Sequence, residues 1–168
     1  RRSNSNLKAL GAGDSGRVDQ TLTVNKPRLW SPEDPALYTL EVSLYKGNEL
    51  LDTEIVTTGI RSIRFDPAQG FFLNEKKVKM YGVCLHSDGG AVGTAVPLSL
   101  WEYRLEKLRD LGVNAIRLAH NPVAPEFLDL CDRMGFLVMN ESFDTWQAAK
   151  NHAEKGYNLF FKDWWYAD

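Results

Sequence analysis

The hydrophobic positions of this chain follow two regimes that meet near residue 65. Before that point they alternate. In "LYTLEVSLY" one face collects Leu37, Thr39, Glu41, Ser43 and Tyr45 and the other Tyr38, Leu40, Val42 and Leu44. A period of two with one apolar face predicts a half-buried antiparallel strand. "KGNE", Lys46 to Glu49, has the composition of a turn, and "LLDTEIVTTG" returns as the second strand of a hairpin. "VDQTLTVNKP", Val18 to Pro27, and "IRSIRF" are shorter alternating runs, and the two prolines of "WSPEDPALY" confine that stretch to a loop. Short strands separated by turns predict a β-sandwich or part of one.

After "FDPAQGFFLNEKK", Phe65 to Lys77, which reads as a linker plus a short hairpin, the period changes. "VKMYGVCLH", Val78 to His86, is a strand. "PLSLWEYRLEKLRDLG" sets Leu98, Trp101, Leu105 and Leu108 at steps of three and four and stops at Gly112. This is an amphipathic helix closed by a glycine, and Trp101 belongs to its core face. "NAIRLAH" is the next strand and "APEFLDLCDRMG", Ala124 to Gly135, the next helix, with Pro125 in its first turn. "FLVMNESFD", Phe136 to Asp144, is a third strand. Strand, helix, strand, helix, strand predicts two right-handed βαβ crossovers and a parallel sheet.

Composition narrows the function classes. The 168 residues are 43% hydrophobic and 25% charged, a globular mixture. A net charge of -2 with scattered basic residues argues against nucleic acid as a partner. Apolar runs stay short of the roughly 20 residues that span a bilayer, and no signal peptide follows the two opening arginines, so the chain is read as soluble with no address of its own. Cys84 and Cys131 form no metal-ligand or CxxC spacing and read as small buried hydrophobes. A start at "RRSNSN" without an initiator methionine points to a piece of a longer protein.

In parallel α/β architectures chemistry gathers at the carboxyl ends of the strands. Here those ends read "LHSD", "LAHNP" and "MNESFDTW", and they hold most of the strongly polar residues of the three strands. His86, Asp88, His120, Asn121, Glu141 and Asp144 are therefore expected around one cleft, with Trp146 as an aromatic platform. Such a rim suits a polyhydroxylated ligand, whose hydroxyls need donors and acceptors and whose C–H face stacks on an indole. Each histidine alone could be a satisfied structural group; two at equivalent strand ends favour binding. Arg117, inside its strand, points either outward as a solvated stem or inward to a strand-end acid, and the inward ion pair is preferred. Glu141 reads as a carboxylate that orients its neighbours. The tail "YNLFFKDWWYAD", Tyr157 to Asp168, is either a stacking surface or a loop and helix start awaiting partners, the second being preferred, and His152 is expected to be exposed and idle.

At these residues the chain resembles a known family. "LWSPEDPALYTLEV" is similar to the closing part of the immunoglobulin-like sandwich of glycoside hydrolase family 2. "GIRSIRFD", "FFLNEKKVKMYGVCLH", "LRDLGVNAIRLAHNP" and "LCDRMGFLVMNESFDTW" resemble the entry into its (β/α)8 barrel, in order, over about residues 28 to 146. The resemblance implies that residues 1–64 are the C-terminal part of the sandwich and residues 65–168 the N-terminal part of a (β/α)8 TIM barrel. Similarity is greatest to the β-galactosidase group, and β-glucuronidases and β-mannosidases share the framework.

The same resemblance implies a retaining β-glycosidase acting on a terminal β-galactoside, with an acid/base and a nucleophilic carboxylate about 5 to 5.5 Å apart. The family's acid/base glutamate belongs to an Asn-Glu pair after the fourth barrel strand. Asn140 and Glu141 come after the third, where the family usually has Asp-Glu, so no catalytic residue is assigned in this chain and both are expected downstream of Asp168. His86 and His120 match family histidines that border the substrate. Magnesium-binding members carry Glu-Thr-His just past the third strand; this chain has "FDTW", and no cofactor is assigned. A non-catalytic carbohydrate-binding or scaffold module is the alternative from another class. Three parallel strands cannot close an eight-stranded barrel, so the chain alone is expected to self-associate through its uncovered apolar faces and to be inactive, the parent being an oligomer.

Overall fold

The computed structural model describes residues 2–7, 10–150 and 156–168. Strands β1 (Leu37–Lys46) and β2 (Glu49–Gly59) form the expected antiparallel hairpin, paired from Leu37 with Gly59 to Lys46 with Glu49 and irregular between Leu44 and Tyr45. The half-burial expected from its alternation does not occur. Leu40, Val42 and Leu44 are 36%, 53% and 43% exposed, because among the described residues no second sheet lies across their face. Val18 to Pro27 forms no strand at all, since among the described residues no strand pairs with it, and Val18, Leu22 and Val24 stay exposed.

Phe65 to Lys77, read as a linker plus a short hairpin, holds that hairpin as β4 (Gly70–Leu73) and β5 (Lys76–Lys77), while its linker part belongs to β3 (Ile63–Asp66), which pairs with β4 to make a meander. Asp66 makes the first turn by accepting the backbone N–H groups of Ala68 and Gln69, both at 2.9 Å, a local bond that competes with a continued strand. Phe71 and Leu73 pack with Trp30 and Leu137 in a small core. Trp30 ties the two regions together: its indole N–H donates to the Asp132 carbonyl at 2.8 Å, and Arg61 stacks over its ring at 4.9 Å.

The parallel sheet appears as expected in the order β6 (Gly82–Leu85), β7 (Ala115–Leu118), β8 (Leu137–Asn140). Residues 78–81, expected in the first strand, lie outside the ladder, where Asn114 takes over as a side-chain partner. Its amide accepts from Tyr81 N–H at 2.8 Å and donates to the Lys79 carbonyl at 3.0 Å. Helices α1 (Leu98–Asp110) and α2 (Pro125–Met134) cover one face. Trp101 and Leu105 of α1 and Phe127, Leu130 and Cys131 of α2 meet Ile116 and Leu118 of β7 in the main core, with the Trp101 and Phe127 rings 4.7 Å apart. Burying a side chain the size of Phe127 or Leu105 is worth about 1.5 to 3 kcal/mol. Leu98, placed on the core face by its spacing, is exposed, because it stands at the first residue of α1, beyond the reach of α2.

Glycine is required at the end of α2. Gly135 adopts φ +78, and a Cβ there would stand 2.3 Å from the Pro32 carbonyl oxygen, so the loop before β1 lies directly on this cap. Beyond β8 the tail makes one short turn and α3 (Phe161–Trp164), with Phe161 buried. His152 lies outside the described residues.

Candidate active site

Alternation along β7 decides what its side chains can do. Ile116 and Leu118 point to the helices and are buried, which sends Arg117 to the opposite face. In register with it stand Cys84 on β6 and Met139 on β8, so this uncovered face carries a thiol, a guanidinium and a thioether in a row. Cys84 is thus exposed, correcting its reading as a buried hydrophobe, because it faces away from the helix layer. Cys131 is buried, and burial pushes its thiol up to about 12.

Glu141, one residue past β8, organises the centre. One carboxylate oxygen pairs with the Arg117 guanidinium and the other lies 3.0 Å from His120 Nδ1. Arg117 also donates to Cys84 Sγ at 3.6 Å, and this contact, with the Glu141 charge after it, raises the guanidinium further above its ordinary value. In the neutral tautomer protonated on Nδ1, His120 donates to Glu141. Nε2 then remains as the acceptor for a hydroxyl group. His86 meets His120 edge to face with ring centroids 5.6 Å apart, which fixes the second imidazole beside the first. The Ala119–His120 peptide is cis.

Arg117, His120, Glu141, Asp144 and Trp146 line a cleft of about 540 Å³, together with Asn140, Phe143 and Lys150. The Lys150 ammonium donates to Asp144 at 2.9 Å and holds its carboxyl below the usual carboxylate range. Charges in the cleft are consequently matched in pairs, Arg117 with Glu141 and Lys150 with Asp144.

The remaining residues of the predicted constellation stand apart. Asp88 is turned back on its own loop, accepting Gly90 N–H at 2.8 Å through its side chain and the Arg104 guanidinium through its carbonyl. Asn121 is exposed just past His120 and does not line the cleft. Lys150 went unforeseen: it is six residues from Asp144 across an irregular segment with no periodicity to place it. At "FDTW" the acid is neutralised by Lys150 and succeeded by an indole, and among the described residues no three His, Cys, Asp or Glu side chains converge.

A parallel βα sheet with its polar rim at the strand ends, preceded by antiparallel strands, is the arrangement of the first units of a (β/α)8 barrel that follows a β-sandwich. The sequence matches the family model for glycosyl hydrolases family 2 over residues 2–61 and that for the family 2 TIM barrel domain over residues 67–163. The chain belongs to glycoside hydrolase family 2. It comprises the end of the immunoglobulin-like sandwich and then the start of the catalytic barrel. Similar curated proteins include the β-galactosidase BoGH2A of Bacteroides ovatus, 41% identical over 160 residues, covering 94% of this chain and 19% of that protein. A putative β-glucuronidase of Formosa agariphila is 42% identical over 154 residues, covering 92% and 15%. The crystal structure of a β-glycosidase from Bacteroides vulgatus superposes with a TM-score of 0.82 at 48% identity, over 85% of this chain and 18% of that one. The chain therefore spans less than a fifth of the length of these relatives.

Proposed function

We propose that this chain is part of a retaining glycosidase of terminal β-galactosides, in which it supplies the sugar-binding wall of the active site and the two reacting carboxylates come from chain beyond Asp168. The observation that carries this reading is the Arg117–Glu141–His120 array at the ends of adjacent parallel strands, facing a cleft walled by Trp146. Glu141 is committed to Arg117 and His120, so it acts as an orienting group and not as acid or nucleophile. His120 Nε2 accepts from a sugar hydroxyl, His86 borders the same position, and Trp146 stacks against the C–H face of the ring. In the completed site one carboxylic acid protonates the leaving oxygen while a second carboxylate attacks the anomeric carbon.

A β-glucuronidase is the second reading, favoured by the 42% identical relative of that name. The pairing of both cleft cations with internal carboxylates weighs towards a neutral sugar, because a uronate needs a cation to receive its charge. The test is hydrolysis of a panel of chromogenic β-glycosides by the full-length parent, by its His120→Ala variant and by this chain alone. The expected outcome is preference for the galactoside, a loss of about ten- to a hundredfold in kcat/KM for the variant, and no turnover by the chain. Preference for the glucuronide would replace the first reading with the second; a parent inactive on every sugar would make this a binding module.

A further inference from the structure

His86 reaches the sugar site at the start of a loop that closes on itself. The Asp88 N–H donates to the His86 carbonyl at 2.8 Å and the Gly90 N–H to the Asp88 carboxylate at 2.8 Å. The Gly89 N–H donates to the Gly93 carbonyl at 2.7 Å, and the Gly93 N–H to the Gly90 carbonyl at 3.0 Å. All of these bonds lie within residues 86–93, so they fix the shape of the turn but not where it stands against the sheet and the helices. Contacts with α1 and the segment leading into it decide that. Gly89 lies close against them, and a Cβ there would stand 3.3 Å from Val96 Cγ2 and 3.4 Å from Leu100 Cδ2. Arg104, one turn further along α1, donates from its guanidinium to the Asp88 carbonyl and lies over the Trp101 ring at 5.2 Å. Trp101 is itself 4% exposed and packs on Phe127 in the main core.

Resting on the glycosidase reading, we infer that Arg104 is a positioning residue, which holds His86 beside His120 by tying the loop that begins at His86 to the main core. The path is continuous. A core indole supports the guanidinium, the guanidinium holds the Asp88 carbonyl, and the Asp88 N–H holds the His86 carbonyl, leaving the His86 ring 5.6 Å from that of His120. A hydrogen bond from a charged donor is stronger than a neutral one, and a planar guanidinium braced on an aromatic face loses less freedom in making it than an unsupported chain would. Among the described residues Arg104 forms no ion pair, so its polar contact is spent on this loop. Asp88 thus contributes through its backbone what its side chain, turned back to Gly90, does not.

The experiment is a double-mutant cycle in the full-length parent. It compares kcat/KM of the parent, Arg104→Met, His86→Ala and the double variant on 4-nitrophenyl β-D-galactopyranoside and the corresponding glucuronide. Methionine keeps an unbranched stem on Trp101 and removes the donor. On whichever substrate the parent cleaves, Arg104→Met is expected to lose about fivefold, mainly through KM, and His86→Ala about tenfold. In the double variant Arg104→Met should add less than about twofold to the His86→Ala loss, because a clamp acts only through the ring it holds. Arg104→Lys, which restores a cationic donor, should recover most of the loss. An undiminished effect of Arg104→Met in the His86→Ala background would overturn the inference, since the residue would then act on the fold and not on His86; so would the absence of any loss. Amide hydrogen exchange of residues 86–93 in the parent needs no substrate. Exchange about tenfold faster there in Arg104→Met, and unchanged elsewhere, upholds the clamp even where the parent cleaves neither glycoside and the glycosidase reading has failed. Unchanged exchange in the loop overturns it even where glycosides are cleaved.

Discussion

The β1–β2 hairpin and the βα units have strands of comparable quality and opposite fates. The hairpin is the longest regular ladder in the chain, yet Val42 is 53% exposed, while β7, with only four residues, buries Ile116 and Leu118 almost completely. Hydrogen-bonded pairing organises backbone but removes little apolar surface from water; burial needs a second layer. A βαβ unit brings that layer with it, since the crossover helix must return across the sheet. A sandwich hairpin depends on a sheet supplied by chain elsewhere.

The sharpest way to break this comparison is to truncate one residue in each region. Phe127→Ala is expected to cost about 3 to 5 kcal/mol in urea unfolding of the chain, because it removes the ring that packs on Trp101. Val42→Ala should cost less than about 0.5 kcal/mol. Equal losses in a sample dilute enough to be monomeric would break the comparison.

Covering of that face at higher protein concentration is the second expectation. We propose that the chain alone self-associates through the Leu40, Val42, Leu44 face, seen as a dimer or larger species by sedimentation velocity. Replacing Leu40 and Val42 by lysine should shift the population towards monomer. A wild-type chain that is monomeric and melts cooperatively would sink the idea.

The smallest effect separates the two thiols. Cys84, on the uncovered face, should react with a disulfide reagent at pH 8 at least about a hundred times faster than Cys131 in the core. Because burial raises Cys131 from the ordinary 9.0 to about 12, the folded protein keeps a proton that the unfolded chain releases. The associated stability is complete below pH 9.0 and is lost as pH rises towards 12. A denaturation midpoint that does not fall across that window, in a chain with Cys131 unmodified, would contradict the burial argument.

Much of the barrel region was legible because its signals are local. Steps of three and four in α1, Pro125 and Gly135 around α2, and the polar ends of three strands need nothing distant to be read. What misled was alternation without its partner: among the described residues no second sheet lies across Val18 to Pro27 or the inner face of β1, which carry the right period, and Leu98 has the right spacing one turn too early for α2. Asp88 failed as a cleft residue for a related reason. A short acid before glycines satisfies itself in its own turn.

By itself the sequence determined the two regimes, the βαβαβ order, the hairpin, and the collection of His86, His120 and Glu141 at one end of a parallel sheet, because periodicity and strand polarity are properties of neighbouring residues. Only the tertiary structure decided that Arg117 and His120 share the two oxygens of Glu141, that Lys150 neutralises Asp144, and that Trp146 walls the polar cleft. Those are meetings of side chains from different strands and loops, and their distances depend on register and loop path, which no spacing along the chain encodes.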